Sequence, residues 1–350
     1  MDLVPSSDLC IPVRPTADPS TITSAFGMPK PSSEALIKIP EGKSTGVNVN
    51  TLHLVAHGSC THTECVGHVA GGNVHLGDLE TLPAFIPGVV LAVQPERLGM
   101  TDENYTSAKA QPGDLVVTAH SLRNAIDRTL GTKSGGVAGQ QLQLNDANDA
   151  QFFQAVVLNV DVNASGSFEN YSNNGDGVDF TNTNPPYLTT DATRFLVEHL
   201  QTRHVLLNLP SIDREDDGGL VENHKLLFRY PAGSAPINTT ELRESGNKLP
   251  SYTLTELCRI APGTAEGRVM VNLQVAPIEL EAAPSRPLLH YLTPTTSSGP
   301  AVNAAQLNAL RDIYDSAGQG HVFQYFDQLS SKEQQALLSQ LSSIQPQAVL

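Results

Sequence analysis

The sequence predicts an α/β fold, and three observations carry that reading. Short β-branched runs such as AFIPGVVLAV (84–93) and QAVVLNVDV (154–162) have the composition of buried strands. Stretches with helical apolar spacing, above all TTDATRFLVEHLQTR (189–203), alternate with them, as helices do when they cover a sheet. At 350 residues the chain is long enough for one large domain or two ordinary ones.

In chain order, residues 1–45 are rich in Pro, Ser and Thr without sustained periodicity and are expected to form an irregular arm. VNVNTLHLVAH (47–57) alternates, which predicts a strand that delivers His57 to its C-terminal end. DLVVTA (114–119) is a further short strand, and SLRNAIDRTL (121–130) has helical spacing with Ser121 placed as N-cap. In 189–203 the apolar Ala192, Phe195, Leu196 and Leu200 share one helix face, and HVLLNLPSID (204–213) follows as a strand. Pro, Gly, Ser and Asn dominate 231–251, which reads as an inserted loop, and RVMVNLQVAPIEL (268–280) is strand-like. TPTTSSGPA (293–301) has linker composition. Beyond it AAQLNALRDIYDSAG, HVFQYFDQL and SKEQQALLSQLSSI are three short amphipathic helices. The expected plan is one domain over 1–292, a linker over 293–301 and a helical extension over 302–350, with no repeat of fixed period.

Composition excludes several functions. A net charge of −15 without a basic stripe argues against a nucleic-acid surface. Mean hydropathy of −0.17 fits a soluble globular protein. The longest apolar run, PAFIPGVVLAV, is too short to span a bilayer and is broken by Pro87 and Gly88, so no membrane partner is expected. The N-terminus has neither a basic nor an apolar leader pattern, so a cytoplasmic location is expected. Four cysteines make no disulfide framework.

Chemistry concentrates in HGSCTHTECVGH (57–68), where His57, His62, Glu64 and His68 lie within twelve residues. Imidazole and carboxylate together suit a borderline divalent cation such as zinc or manganese. In an extended stretch the period of two puts His62 and Glu64 on one side, while small Gly58, Ser59 and Gly67 give the backbone room to bend. A lone His at a sheet edge is usually a satisfied surface residue, but four potential ligands at this spacing outweigh that reading. A serine triad is disfavoured, because no G-x-S-x-G elbow is present. SNNGDGVD (172–179) and DREDDGG (213–219) miss the calcium-loop pattern. Cys60, Cys65 and Cys258 lie near the proposed ligands; small apolar filler is the plainer reading, and a thiolate ligand, at Cys65 or Cys258, the sharper one.

THTECVGH resembles the Thr-His-x-Asp-x-x-x-His end of the signature of the cyclase family of metal-dependent hydrolases, which includes bacterial-type kynurenine formamidase and isatin hydrolase. In order along the chain, NLPSIDREDDGG is similar to the family's Pro-Ser-x-Asp segment, ENHKLLF (222–228) to its His-x-x-Leu-Leu element, TELCRI (255–260) to its Glu-x-Leu strand and VAPIELEAAPSRPL (275–288) to its closing strand. The resemblance implies a swivelling β/β/α-type mixed sheet, a metal site of His57, His62, Glu64, His224 and Glu256 holding one ion or two, and His68 as general acid/base. It also implies a homo-oligomer, a dimer. His57 sits one residue further from His62 than the family spacing, leaving His53 as a fallback ligand; Cys60 replaces Gly, and Glu64 replaces Asp.

A cation held by three or more protein ligands with an open position brings the pKa of its water towards neutrality, and a nearby free histidine such as His68 can move the proton. The expected activity is metal-dependent hydrolysis of a small amide, formamide, cyclic amide or lactone, with the arylformamidase reaction on N-formylkynurenine as the leading candidate. The rival is an inactive binding protein of the same fold whose tail recruits a partner. The tail, LRDIYDSAGQGHVFQYFDQLSSKEQQALLSQLSSIQP, resembles the N-terminal helices of UDP-N-acetylhexosamine pyrophosphorylases, but no nucleotide-binding motif follows it, so no activity is carried over.

Overall fold

Seven strands pair into one sheet that closes on itself. They are β1 (His62–Glu64), β2 (Ile86–Val93), β3 (Ala155–Val160), β4 (His204–Leu207), β5 (Thr253–Glu256), β6 (Gly267–Val275) and β7 (Ala282–Thr293). The computed structural model describes residues 2–3, 7–131, 147–162, 177–261, 264–293, 304–324, 326, 331–342 and 344. The ring runs β7-β6-β2-β3-β4-β5-β1, and β1 pairs back onto β7. The four middle strands β2 to β5 are mutually parallel, and every other junction is antiparallel. The expected mixed-sheet α/β fold is therefore present, in a barrel-like form.

Strands covered on both faces read as unbroken apolar runs, because each side of the pleat needs a packing partner. Val89, Leu91, Val156, Leu158, Val205 and Leu207 pack in one core with Leu122, Ile126, Phe195 and Leu196 of the covering helices. The alternate positions, Val90, Val157 and Leu206, form a second core with Val269, Val271 and Leu289.

Several local expectations are corrected. The strand over 47–57 stops at His53 (Val49–His53) and pairs with Ser32–Ile37, so the arm is not irregular throughout. His57 sits instead on a one-turn helix, α1 (Ala56–Ser59). Helix α2 (Ala119–Leu130) starts two residues early: Thr118, not Ser121, is the N-cap, and the two exchange side-chain to backbone bonds of 2.9 Å each way in a capping box. The strand Leu115–Val117 ends just before it, which leaves Thr118 as the first residue free to cap. Helix α3 is α-helical only over Thr190–Arg194 and widens into a π turn over Phe195–His199, ending short of residue 203. Past it lies α4 (Glu222–Leu227), and the loop 231–251 contains α5 (Thr239–Ser245).

By contacts the chain divides into a unit over residues 5–291 and a second made of residues 292–350 with the first four. Within the second, α6 (Ala304–Ser316), a 3-10 turn over Gly320–Phe323 and α7 (Ser331–Ser342) enclose a small core of Leu310, Tyr314, Phe323, Phe326, Leu338 and Leu341. The linker expected at 293–301 lies beyond residue 293 outside the described residues, as does 172–176 of the SNNGDGVD string. Among the described residues no helix is long and apolar enough to cross a membrane.

Candidate metal centre

Strand β1 places two of the cluster's side chains by simple alternation. His62 and Glu64 point one way and are fully buried. Thr61 and Thr63 point the other way, where Thr61 Oγ1 donates to the Leu257 carbonyl at 2.6 Å and Thr63 Oγ1 bonds Thr255 and Ser285 at 2.8 and 2.9 Å. Strand β5 brings Glu256 directly beside His62 in register. The chain then turns at once: Leu257, fully buried, sits at φ +52°, a strained backbone for leucine that sets the end of the ligand-bearing strand. Helix α4 supplies His224 and is entered through Val221 at φ +41°. Gly67 is required for close approach rather than bending, since a Cβ there would lie 2.1 Å from the Val74 carbonyl oxygen. Likewise a Cβ on Gly58 would meet the Met28 side chain at 2.6 Å.

Glu64 is the hub. Its Oε1 lies 3.0 Å from His224 Nε2, and its Oε2 lies 3.2 Å from His57 Nδ1 and 3.7 Å from His68 Nδ1. Glu256 reaches His62 Nε2 and His224 Nε2, each at 3.7 Å. Two sets of donors, His57–Glu64–His68 and His62–Glu64–Glu256, each gather within 4.8 Å and share Glu64. The structure thus brings together all six residues singled out in the sequence: His57, His62, Glu64, His68, His224 and Glu256. The fallback His53 stands apart, exposed and paired with Glu34 at 3.3 Å on the hairpin.

Each of three rings has its second nitrogen anchored. His62 Nδ1–H donates to the Cys60 carbonyl at 3.0 Å, His224 Nδ1–H to Asp213 Oδ2 at 2.6 Å, and His57 Nε2–H to Glu281 Oε1 at 3.3 Å. Asp213 is itself held by the Tyr105 hydroxyl at 2.7 Å and the Asn223 amide at 3.0 Å. This leaves His62 Nε2 and both Glu64 oxygens buried without a hydrogen bond, despite the short approach of His224 Nε2. Buried polar atoms are almost always satisfied, so a fully buried carboxylate without hydrogen bonds, facing imidazole lone pairs, calls for a cation among them. The donor set fits a divalent metal.

The electrostatics agree. Burial would lower His224, but the Glu64 and Asp213 carboxylates more than offset it and hold the ring well above its ordinary value. Burial, then repulsion from Glu64, pushes Glu256 well above the carboxylate range, because two buried carboxylates this close resist joint ionisation. His62 is driven down to about 4 by burial first and by His57 second, so it is a neutral ring with a free lone pair at Nε2. Burial pushes the Cys60 and Cys65 thiols up to about 12 and Cys258 up as well. They are neutral thiols, with Cys65 and Cys258 in the two cores, which favours the filler reading.

Two carboxylates that anchor these rings are not singled out by the sequence. Asp213 stands in the Pro-Ser-x-Asp segment and Glu281 in the VAPIELEAAPSRPL segment just before β7, but neither segment shows which ring its carboxylate meets.

The Cyclase family model matches residues 7–214, well over half of the chain. The protein belongs to the cyclase family. Among solved structures the chain is similar to a predicted metal-dependent hydrolase from Bacillus stearothermophilus, at 17% identity and TM-score 0.44, covering 83% of this chain and 99% of that one. It is also similar to an isatin hydrolase bound to the product analogue thioisatinate, at 15% identity and TM-score 0.47, covering 82% and 93%. Isatin hydrolase A from Labrenzia aggregata aligns at 14% identity and TM-score 0.45, covering 82% and 94%. No curated protein matches.

Proposed function

We propose that this protein is a metal-dependent hydrolase of a small amide, formamide, cyclic amide or lactone, with an N-formylkynurenine-type arylformamide as the leading candidate. The observation that carries the reading is Glu64: fully buried, without hydrogen bonds, and flanked by His57 and His224 at 3.2 and 3.0 Å. His57, His62, Glu64, His224 and Glu256 would hold zinc or manganese, as one ion or as two sharing Glu64. When bound, the ion supplies Lewis-acid polarisation of the carbonyl and a more acidic water. The chain's own residues do the rest. Asp213 and the Cys60 carbonyl fix the tautomers of His224 and His62, so that Nε2 of each ring presents its lone pair. His68 has the most exposed ring of the four imidazoles, 30% against 15% for His57, which suits a group that takes a proton from the attacking water and returns it to the leaving group.

The test is elemental analysis of the purified protein, followed by a screen of formamides, lactones and cyclic imides with zinc- or manganese-loaded protein. At least one equivalent of metal and turnover of one of these classes is expected. Less than about half an equivalent, with no activity on adding either metal, sinks the reading.

A homodimer is proposed as the working form, and the hairpin Ser32–Ile37/Val49–His53 as the surface that meets the second copy. Leu36, Ile37, Val47, Val49 and Leu52 are all exposed on it, and an isolated two-stranded hairpin is marginal unless something covers it. Residues 30–53 carry three lysines and two glutamates in a chain of net charge −15, so two acidic copies meet there with the least repulsion.

A further inference from the structure

We infer that Glu281 is a positioning residue for His57, and that it offsets the extra residue between His57 and His62. The inference rests on the metal reading above. A histidine ligand offers one nitrogen and needs a partner for the other, since the partner fixes both the tautomer and the ring orientation. His224 has Asp213 and His62 has the Cys60 carbonyl; both rings then present Nε2. His57 is reversed. Its Nδ1 lies 3.2 Å from Glu64 Oε2, and its Nε2 points outward to Glu281 Oε1 at 3.3 Å.

The reversal follows from where the chain places the ring. With five residues from His57 to His62, His57 sits on the turn of α1 rather than on β1. From that turn the nearer nitrogen, Nδ1, is the one that reaches Glu64. Left alone, an imidazole on a one-turn helix could rotate out of the cluster or carry its proton on Nδ1, and either would remove the lone pair. Glu281 prevents both by accepting from Nε2–H.

The carboxylate is well placed for this. Its own carbonyl accepts from the Cys65 amide at 3.0 Å, and the next residue, Ala282, pairs with Glu64 in the β1–β7 register. Glu281 is thus tied by backbone to the strand that carries Glu64, so the two carboxylates stand at opposite nitrogens of one ring from a shared frame, and Glu281 alone accepts its proton. It is the half-exposed member, at 39%.

The experiment is zinc affinity by chelator competition on the full chain for wild type, Glu281→Gln and Glu281→Ala, with long-range 15N–1H NMR of the histidine rings in the zinc-loaded proteins. The Gln carbonyl still accepts from Nε2–H, so Glu281→Gln should stay within about threefold of wild type, whereas Glu281→Ala should lose about 10–100-fold. Of the three proposed ligand rings, one should be protonated at Nε2 and two at Nδ1 in the wild-type spectrum, and the Nε2–H signal of that ring should be the one lost in His57→Ala. If wild type binds zinc and Glu281→Ala binds within twofold of it, or if Gln is as weak as Ala, the inference falls while the metal site stands. Wild type taking up no zinc overturns both.

Discussion

Glu64 Oε1 lies 3.0 Å from Nε2 of His224, a nitrogen whose ring partner Nδ1 is already committed to Asp213. A neutral His224 would therefore set a lone pair against a carboxylate oxygen. A bound cation between the two atoms would relieve that repulsion. Shortening Glu64 withdraws the hub by about one C–C bond, a large error for ligand geometry that tolerates about 0.2 Å. Glu64→Asp should keep the fold and weaken metal binding at least about tenfold, and Glu64→Gln, which also loses the charge, should cost more. Chelator competition decides this; parent-like affinity in both variants means that Glu64 is not a ligand.

Asp213 offers only acceptors, and His224 Nδ1–H, the Tyr105 hydroxyl and the Asn223 and His224 amides use them. Asp213→Asn turns one acceptor into a donor that must face one of these donors. Metal affinity should drop about 10–100-fold, and unfolding free energy by about 1–3 kcal/mol from the unpaired buried group. Urea denaturation of the metal-free protein separates the two effects; unchanged metal affinity would remove Asp213 from its positioning role.

How far the sequence carries this site depends on whether a ligand lies within one local element. His62 and Glu64 are two apart on one strand, and alternation alone places them on one side. His224 and Glu256 arrive from α4 and β5, so nothing in local spacing could unite them with β1; only the ordered family motifs did. Where strands are apolar on both faces their existence was plain, but β1 is just three residues long and polar, held by pairing on both sides rather than by its own propensity. The strand expected to deliver His57 ends at His53 because its partner, Ser32–Ile37, ends its pairing there, a non-local fact. The contact of Glu281 with His57 is non-local in the same way.

His68 separates an enzyme from a binding protein of the same fold. It contacts Glu64 only at 3.7 Å and keeps the most exposed ring, so its loss should leave zinc or manganese in place. His68→Ala should lower kcat by about 10²–10⁴-fold, the usual worth of a general acid/base, with metal content unchanged. A parallel fall in metal content would instead make His68 a ligand, as its grouping with His57 and Glu64 permits.

The hairpin makes the dimer testable without touching the centre. Leu36 is 71% exposed and Leu52 52%, so charges there cost the monomer little. The double variant Leu36→Lys/Leu52→Glu should run as a monomer in light scattering at concentrations where wild type is a dimer, with the same thermal unfolding profile at high dilution. A wild-type chain that is monomeric throughout, or a variant that stays dimeric, takes the second copy off this surface.

Arg243, on α5 in the loop 231–251, forks onto Asp78 with bonds of 2.8 and 2.7 Å, and this pairing holds the carboxyl down to about 2 from its ordinary 3.8. Asp78 also accepts from the His75 amide at 2.9 Å, and its carbonyl accepts from the Leu249 amide at 2.9 Å. One residue therefore pins both ends of the contact between this loop and the 75–80 turn. The sign follows from the depressed pKa: the unfolded chain takes up the proton first as pH falls, so the pair's stabilisation is complete above about pH 4 and is lost as pH falls through about 2. Because the arginine is exposed to solvent and screened, the pair's contribution is small. Arg243→Gln should be less stable than wild type at pH 6, and the gap should close between pH 4 and 2. Urea midpoints taken across that range provide the measurement, and a gap independent of pH would show that packing by the arginine stem, not the ion pair, holds the loop.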